Sequence, residues 1–225
     1  MKSAYARRRV IALLMSVIVA GYIFLVQQTA NVPSSVLSSE LEQQYFGELS
    51  AIEVLNSLEV KGRAPKTNYS RSQFGDGWSK VGGCDTRNVI LARDLTETVI
   101  DDRCRVLVGV LNDPYTGVAI KFSRGATTSD DVQIDHVVAL SDAWQKGAQQ
   151  ISYEKRISFS NDPLNLLAVS GSANQQKGDG DAATWLPSNR GFRCQYVARQ
   201  VAVKHKYSLW ITQAEKVAIS NVLKA

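Results

Sequence analysis

An α+β fold is what this sequence predicts, and three observations predict it. Short apolar runs bounded by Gly, Pro and Asn read as strands, above all CRVLVGVLNDPYTGVAIKF and VQIDHVVAL. Segments with apolar residues three and four apart, or of helix-forming composition, lie before and between them. The sequence contains no repeat of solenoid period and no low-complexity tract. At 225 residues, 44% hydrophobic and 21% charged, the chain can bury one ordinary domain plus an appendage but not two large domains.

The first thirty residues are the appendage. Lys2 and Arg7 to Arg9 precede an unbroken apolar run of 17 residues, Val10 to Val26. As a helix the run would be about 25 Å long at ~1.5 Å per residue, near the shortest that crosses a bilayer. A basic segment before an apolar core is also the layout of a secretory signal. Gln28 stands at the third position before the junction after Ala30, which spoils a small-x-small cleavage site. Residues 1–30 are therefore expected to be a transmembrane signal anchor, with a cleaved signal peptide as the alternative. The positive-inside rule keeps the arginines in the cytoplasm. Either way the remainder is exported, held outside the cell membrane or secreted.

Residues 31–62 are expected to form a helical stalk or linker. From Ser35 to Val60 apolar side chains fall at Leu37, Leu41, Tyr45, Leu49, Ile52, Leu55 and Leu58, with Gly47 interrupting. Such a stripe suits a stalk or a helix packed on the domain. The domain proper is expected over 63–225. Its opening, KGRAPKTNYSRSQFGDGWSKVGGC, reads as irregular chain with Tyr69, Phe74 and Trp78 as pegs into the core. Two strands within Cys104–Phe122 are joined by the turn NDPYTG, and Val132–Leu140 is a further strand. Ser141–Asn161 is helical in composition, with Ser141 placed as its N-cap. A turn at NDP leads to a strand over Leu164–Val169, and SGSANQQKG opens a helix that glycines and Pro187 stop. The tail from Tyr196 alternates and then turns helical. Trp144 and Trp185 are expected in the core, and His205, between Lys204 and Lys206, at the surface.

Charge is unevenly placed. The net +5 falls close to neutral without Lys2 and Arg7 to Arg9, which leave 22 basic against 21 acidic side chains. Residues 187–225 hold seven basic side chains against Glu215 alone. That segment is either a solvated basic helix or a cationic face for a polyanion. Three cysteines, Cys84, Cys104 and Cys194, suit an exported chain, where disulfides persist. A Cys84–Cys104 bridge would close a short loop and stabilise by roughly 3 kcal/mol. It would leave Cys194 over; spacing does not choose among the three pairings. With no CxxC and no histidine nearby, structural zinc is not indicated.

The chemistry centres on Asp135 and His136, an acid and an imidazole side by side in an apolar run. An unpartnered charge there costs several kcal/mol, so the pair needs a purpose. Asn165 opens the next strand, and Asn174 lies on the helix after it. A strand–strand–helix hairpin brings these side chains together. Carboxylate and amide oxygens suit Mg²⁺, which retains several waters, and an imidazole is a natural general base. The set suits metal-assisted phosphodiester hydrolysis.

At these residues the sequence resembles a known family. IDHVVAL…NDPLNLLAVSGSANQQKGDGDAATWLP is similar to the HNH, or ββα-metal, endonucleases. The nearest branch is that of the GmrSD-type restriction enzyme C-terminal domain and small exported bacterial nucleases. The likeness spans roughly residues 68 to 210 and includes GCDTRN, NDPYTG and WLP. It implies a ββα-metal core with added short strands and helices. It also implies His136 as general base, Asp135 and Asn174 as ligands of one divalent cation, and Asn165 as a brace of the hairpin that orients the histidine. Lys177 matches a position beside the phosphate. Asn174 stands where colicin-type members carry histidine, which points to Mg²⁺, or Mn²⁺, over tight transition-metal binding. The implied substrate is nucleic acid, DNA ahead of RNA, with no small-molecule cofactor. Arg87 and Arg156 receive no assignment. The alternative is a non-catalytic surface module that binds polyanions through the basic C-terminal segment.

Overall fold

The structure is a computed structural model that describes residues 37–125 and 129–225. The apolar run Val10–Val26, with its anchor or signal, lies outside the described residues. Among the described residues no helix is long and apolar enough to cross a membrane.

The stripe from Ser35 to Val60 holds two helices, α1 (Ser39–Phe46) and α2 (Ala51–Ser57). Gly47, at φ +64°, takes the left-handed backbone that ends α1. Ser50 and Glu53 then start α2 with a reciprocal capping box. Val54, Leu55 and Leu58 are buried in the domain core, so α2 packs on the domain.

A small hairpin, β1 (Lys80–Val81) and β2 (Cys84–Asp85), leads into α3 (Thr86–Asp94). Asp85 caps α3 by accepting from Asn88 N at 2.8 Å. Strands β3 (Leu95–Ile100), β4 (Val106–Asn112) and β5 (Ala119–Ser123) form an antiparallel sheet in that order. The NDPYTG turn joins β4 to β5 as expected. Asp113 builds it, its Oδ1 accepting from Tyr115 N at 3.3 Å and its Oδ2 from Thr116 N at 2.9 Å. Cys84 is bridged to Cys104, and Cys194 is free and buried.

The centre of the fold is the antiparallel pair β6 (Val132–His136) and β7 (Leu166–Ser170), followed directly by α6 (Gly171–Lys177). His136 stands opposite Leu166, and Val132 opposite Ser170. All five residues of β7 are buried because both its faces are covered. Leu166 and Ala168 face a cluster with Ile90, Leu111 and Phe122, while Leu167 and Val169 face one with Tyr115, Val197 and Val201. That is why β7 reads as continuously apolar.

Three expectations are corrected. β6 ends at His136 rather than running to Leu140, because the next two amides turn to Asn165. Val137 N donates to its main-chain oxygen and Val138 N to its Oδ1, at 2.8 and 2.9 Å. Ser141–Asn161 is two helices, α4 (Leu140–Gln145) and α5 (Tyr153–Ser160), parted near Gly147 at φ +120°. Ser141 therefore lies inside α4, and the serine cap belongs to Ser152, which accepts from Lys155 N at 3.3 Å. The tail does not alternate first: it is α7 (Arg193–Lys206) and α8 (Gln213–Leu223). Cys194, Val197, Ala198 and Val201 fall on helical spacing and are buried.

Candidate active site

A cleft of about 500 Å³ runs beside β6. Gln133, Ile134, Asp135 and His136 all line it, although consecutive strand residues alternate faces. The cleft therefore follows the free edge of β6, whose other edge pairs with β7. Asn174 of α6 borders the same cleft, so the imidazole and the helix-borne amide share one space.

Two polar rungs tie β6 to α6. Asn174 Nδ2 donates to Gln133 Oε1 at 2.8 Å, and Lys177 Nζ donates to Asp135 Oδ1 at 2.9 Å. The pattern follows from periodicity. Residues 133 and 135 share a strand face, and residues 174 and 177, one turn apart, share a helix face. The first rung commits the amide nitrogen of Asn174 and leaves Oδ1 without a protein donor among the described residues. Lys177 has no exposed side-chain surface, and its Nζ also donates to His136 O at 2.9 Å. It stands behind the carboxylate, whereas the sequence reading put it beside the phosphate.

Asp135 is 5% exposed. The Tyr115 hydroxyl donates to its Oδ2 and Lys177 to its Oδ1. Burial raises the carboxyl above its usual range, against the pull of Lys177 and Tyr115. Asn165, fully buried, is a main-chain brace. Besides the two bonds from residues 137 and 138, its Nδ2 donates to Val138 O at 3.3 Å and Phe159 O at 3.4 Å. It fixes the chain just after His136.

The imidazole of His136 is held from two sides. Its Nε2 lies 2.9 Å from Ser160 O, and the Trp78 indole stacks on the ring, centroids 5.9 Å apart and planes 8° from parallel. A carbonyl can only accept, so Nε2 carries the proton and Nδ1 the lone pair. Burial is the main force lowering the ring's pKa, to about 4, with the Ser160 carbonyl opposing it. The ring is thus neutral at pH 7.

Among the described residues no three His, Cys, Asp or Glu side chains cluster at metal-binding distance. A site saturated by protein ligands, as tight zinc binding needs, does not fit. The carboxylate of Asp135 and the amide oxygen of Asn174 are hard donors of the kind a largely hydrated cation takes.

Residues 85–222 match the family model described as the C-terminal domain of GmrSD restriction endonucleases, well over half of the chain. The chain belongs to that family. It is also 37% identical, over 176 residues, to an uncharacterized secreted protein of Arthroderma benhamiae, covering 77% of this chain and 83% of that one. No solved structure matches. Membership in the GmrSD C-terminal family points to nuclease-type hydrolysis, with nucleic acid as the class of substrate.

Sequence reasoning missed Tyr115, Gln133 and Trp78 as neighbours of the candidate residues. NDPYTG read as a turn, yet its tyrosine is wholly buried and reaches Asp135. Trp78 packs against the core as expected and also stacks on the imidazole. Two of the seven cations of the basic tail are withdrawn from the surface. Lys204 is fully buried against Asp142 and Glu215, and Arg199 is buried, donating to the carbonyls of Pro163 and Leu164. Trp144 is buried and Trp185 half-buried, while His205 is exposed, as expected.

Proposed function

We propose that this chain is an exported, metal-dependent endonuclease that hydrolyses phosphodiester bonds of DNA, with RNA as the second substrate to test. The observation that carries this reading is the 2.9 Å approach of His136 Nε2 to the Ser160 carbonyl. With Nε2 donating to Ser160 O, the basic Nδ1 is the ring nitrogen free to take a proton from an attacking water. Asp135 and Asn174 would hold one Mg²⁺ or Mn²⁺. Bound there, the cation would supply charge neutralisation at the phosphate and the leaving oxygen.

The remaining residues are assigned to positioning. Asn165 fixes the turn after His136, and Trp78 prevents the ring from swinging. Lys177 and Tyr115 orient the Asp135 carboxylate and stabilise its charge. Gln133 turns the amide of Asn174 so that its oxygen is available. Export rests on the apolar run after Arg7 to Arg9 and on the likeness to a secreted relative.

The polyanion-binding alternative is weakened by the burial of Lys204 and Arg199. One assay separates the two readings. The purified full-length chain is incubated with supercoiled plasmid, or with RNA, in Mg²⁺ and then in EDTA. Nicking that EDTA abolishes is the expected result. Salt-sensitive binding without cutting, unchanged by EDTA, would contradict the proposal.

A further inference from the structure

Arg87 and Arg71 stand at the two ends of the cleft edge formed by β6. Arg87, on α3, reaches the start of the strand, where its Nη2 lies 3.4 Å from Val132 O and 3.5 Å from Ser129 O. Arg71 is exposed at the far end. There it lines both the cleft and a smaller cavity that includes His136 and Trp78. Among the described residues neither guanidinium forms an ion pair; Arg63, Arg93 and Arg105 do, while Arg156 and Arg199 spend their donors on carbonyls away from the cleft. Arg87 feels Asp85 and Asp130 only at longer range, and it is half-buried beside Arg124. A desolvated cation without a salt-bridge partner, facing an open cleft, is a group that gains from an incoming anion.

The spacing says what kind of anion. β6 is five residues long, so its ends are about 13 Å apart at ~3.3 Å per residue. One strand of a stacked duplex carries a phosphate every ~3.4 Å of axis, so that distance covers at most about four nucleotides of a strand. The groups assigned to the reaction lie between the two arginines or at the Arg71 end. Other cations near the cleft are already committed: Lys66 to Asp179 and Lys177 to Asp135.

We propose that Arg87 and Arg71 are phosphate subsites that clamp a single nucleic-acid strand along the free edge of β6, on either side of the bond to be cut. This deepens the nuclease reading and rests on it for the word "cut"; the clamp itself is a binding claim. Guanidinium suits the task because its planar donors pair with phosphate oxygens two at a time. The clamp reads backbone and not base, so it confers strand placement without sequence preference.

The test is the salt dependence of binding, measured by fluorescence anisotropy in EDTA with the full-length chain and a labelled 12-nucleotide single strand. Each phosphate left without its cationic partner flattens the slope of log K against log salt by about 0.7. Arg71→Gln and Arg87→Gln should each flatten it by that amount, and the double variant by about 1.4. Arg87→Lys should keep the wild-type slope, which separates lost charge from lost fold. Arg105→Gln, whose guanidinium pairs with Asp101 away from the cleft, should change nothing. The clamp is overturned by unchanged slopes in both glutamine variants, by an equal loss in Arg105→Gln, or by no measurable binding at low salt. Arginine-dependent binding without Mg²⁺-dependent cutting would sink the nuclease reading and leave the clamp. Cutting with arginine-independent slopes would do the reverse.

Discussion

Lys177 Nζ lies 2.9 Å from Asp135 Oδ1, with the lysine side chain wholly buried and the aspartate nearly so. A pair like this is balanced internally, and removing one member strands the other. Lys177→Met is expected to destabilise the chain by roughly 3–5 kcal/mol, and Lys177→Met with Asp135→Asn by less. Urea unfolding of the two single variants and the double gives the coupling. A Lys177→Met variant within about 0.5 kcal/mol of wild type would mean the pair does not form.

A second buried network sets the behaviour in acid. Lys146 Nζ contacts Asp142, Asp181 and Glu215, each at 2.7 Å. Burial alone would raise the pKa of Asp181, but Lys146 and then Arg63 outweigh it and hold the carboxyl at about 2. A folded-state pKa below the usual 3.8 means this stabilisation is present above pH 3.8 and lost as pH falls towards 2. Stability should decline through that window in wild type. Asp181→Asn should be less stable at neutral pH and show a flatter acid limb. An acid limb unchanged by the substitution would remove Asp181 from the account.

Gly171 joins β7 to α6, and a β-carbon there would lie 1.9 Å from Asp130 O. Because the obstacle is backbone, the junction must open to admit a side chain. Gly171→Ala is expected to destabilise by about 1–3 kcal/mol through overpacking and to disturb the rungs of α6 on β6. Thermal unfolding checks the first effect. Full stability in the variant would show the close approach to be relaxed in solution.

Asn174 carries a separate prediction. Removing its oxygen donor with Asn174→Ala should raise the Mg²⁺ concentration for half-maximal cleavage by at least about tenfold. Mn²⁺ binding by calorimetry gives a readout independent of turnover. An unchanged metal titration would take Asn174 out of the site.

The strand–strand–helix order was legible because it depends on local pattern: VQIDH, LLAVS and SGSANQQK each carry their own period and cap. The pairing of Cys84 with Cys104 was not, since three pairings suit the spacing equally. Tyr115 escaped notice because its turn is specified by Asp113 and Gly117, which mask a tyrosine whose partner lies 20 residues on. The basic tail misled for a related reason. Counting charge along the chain cannot register that Lys204 faces Glu215 and Asp142 across a helix–helix contact. Adjacent residues reveal a site's presence; distant partners decide what its members do.

On the proposed mechanism the Nδ1 of His136 is the base. The direct measurement is the single-turnover rate of DNA cleavage in Mg²⁺ for wild type and His136→Ala, with matched unfolding curves. The expected result is a loss of about 10²–10⁴-fold in a variant that remains folded. Cleavage at the wild-type rate by folded His136→Ala would contradict it.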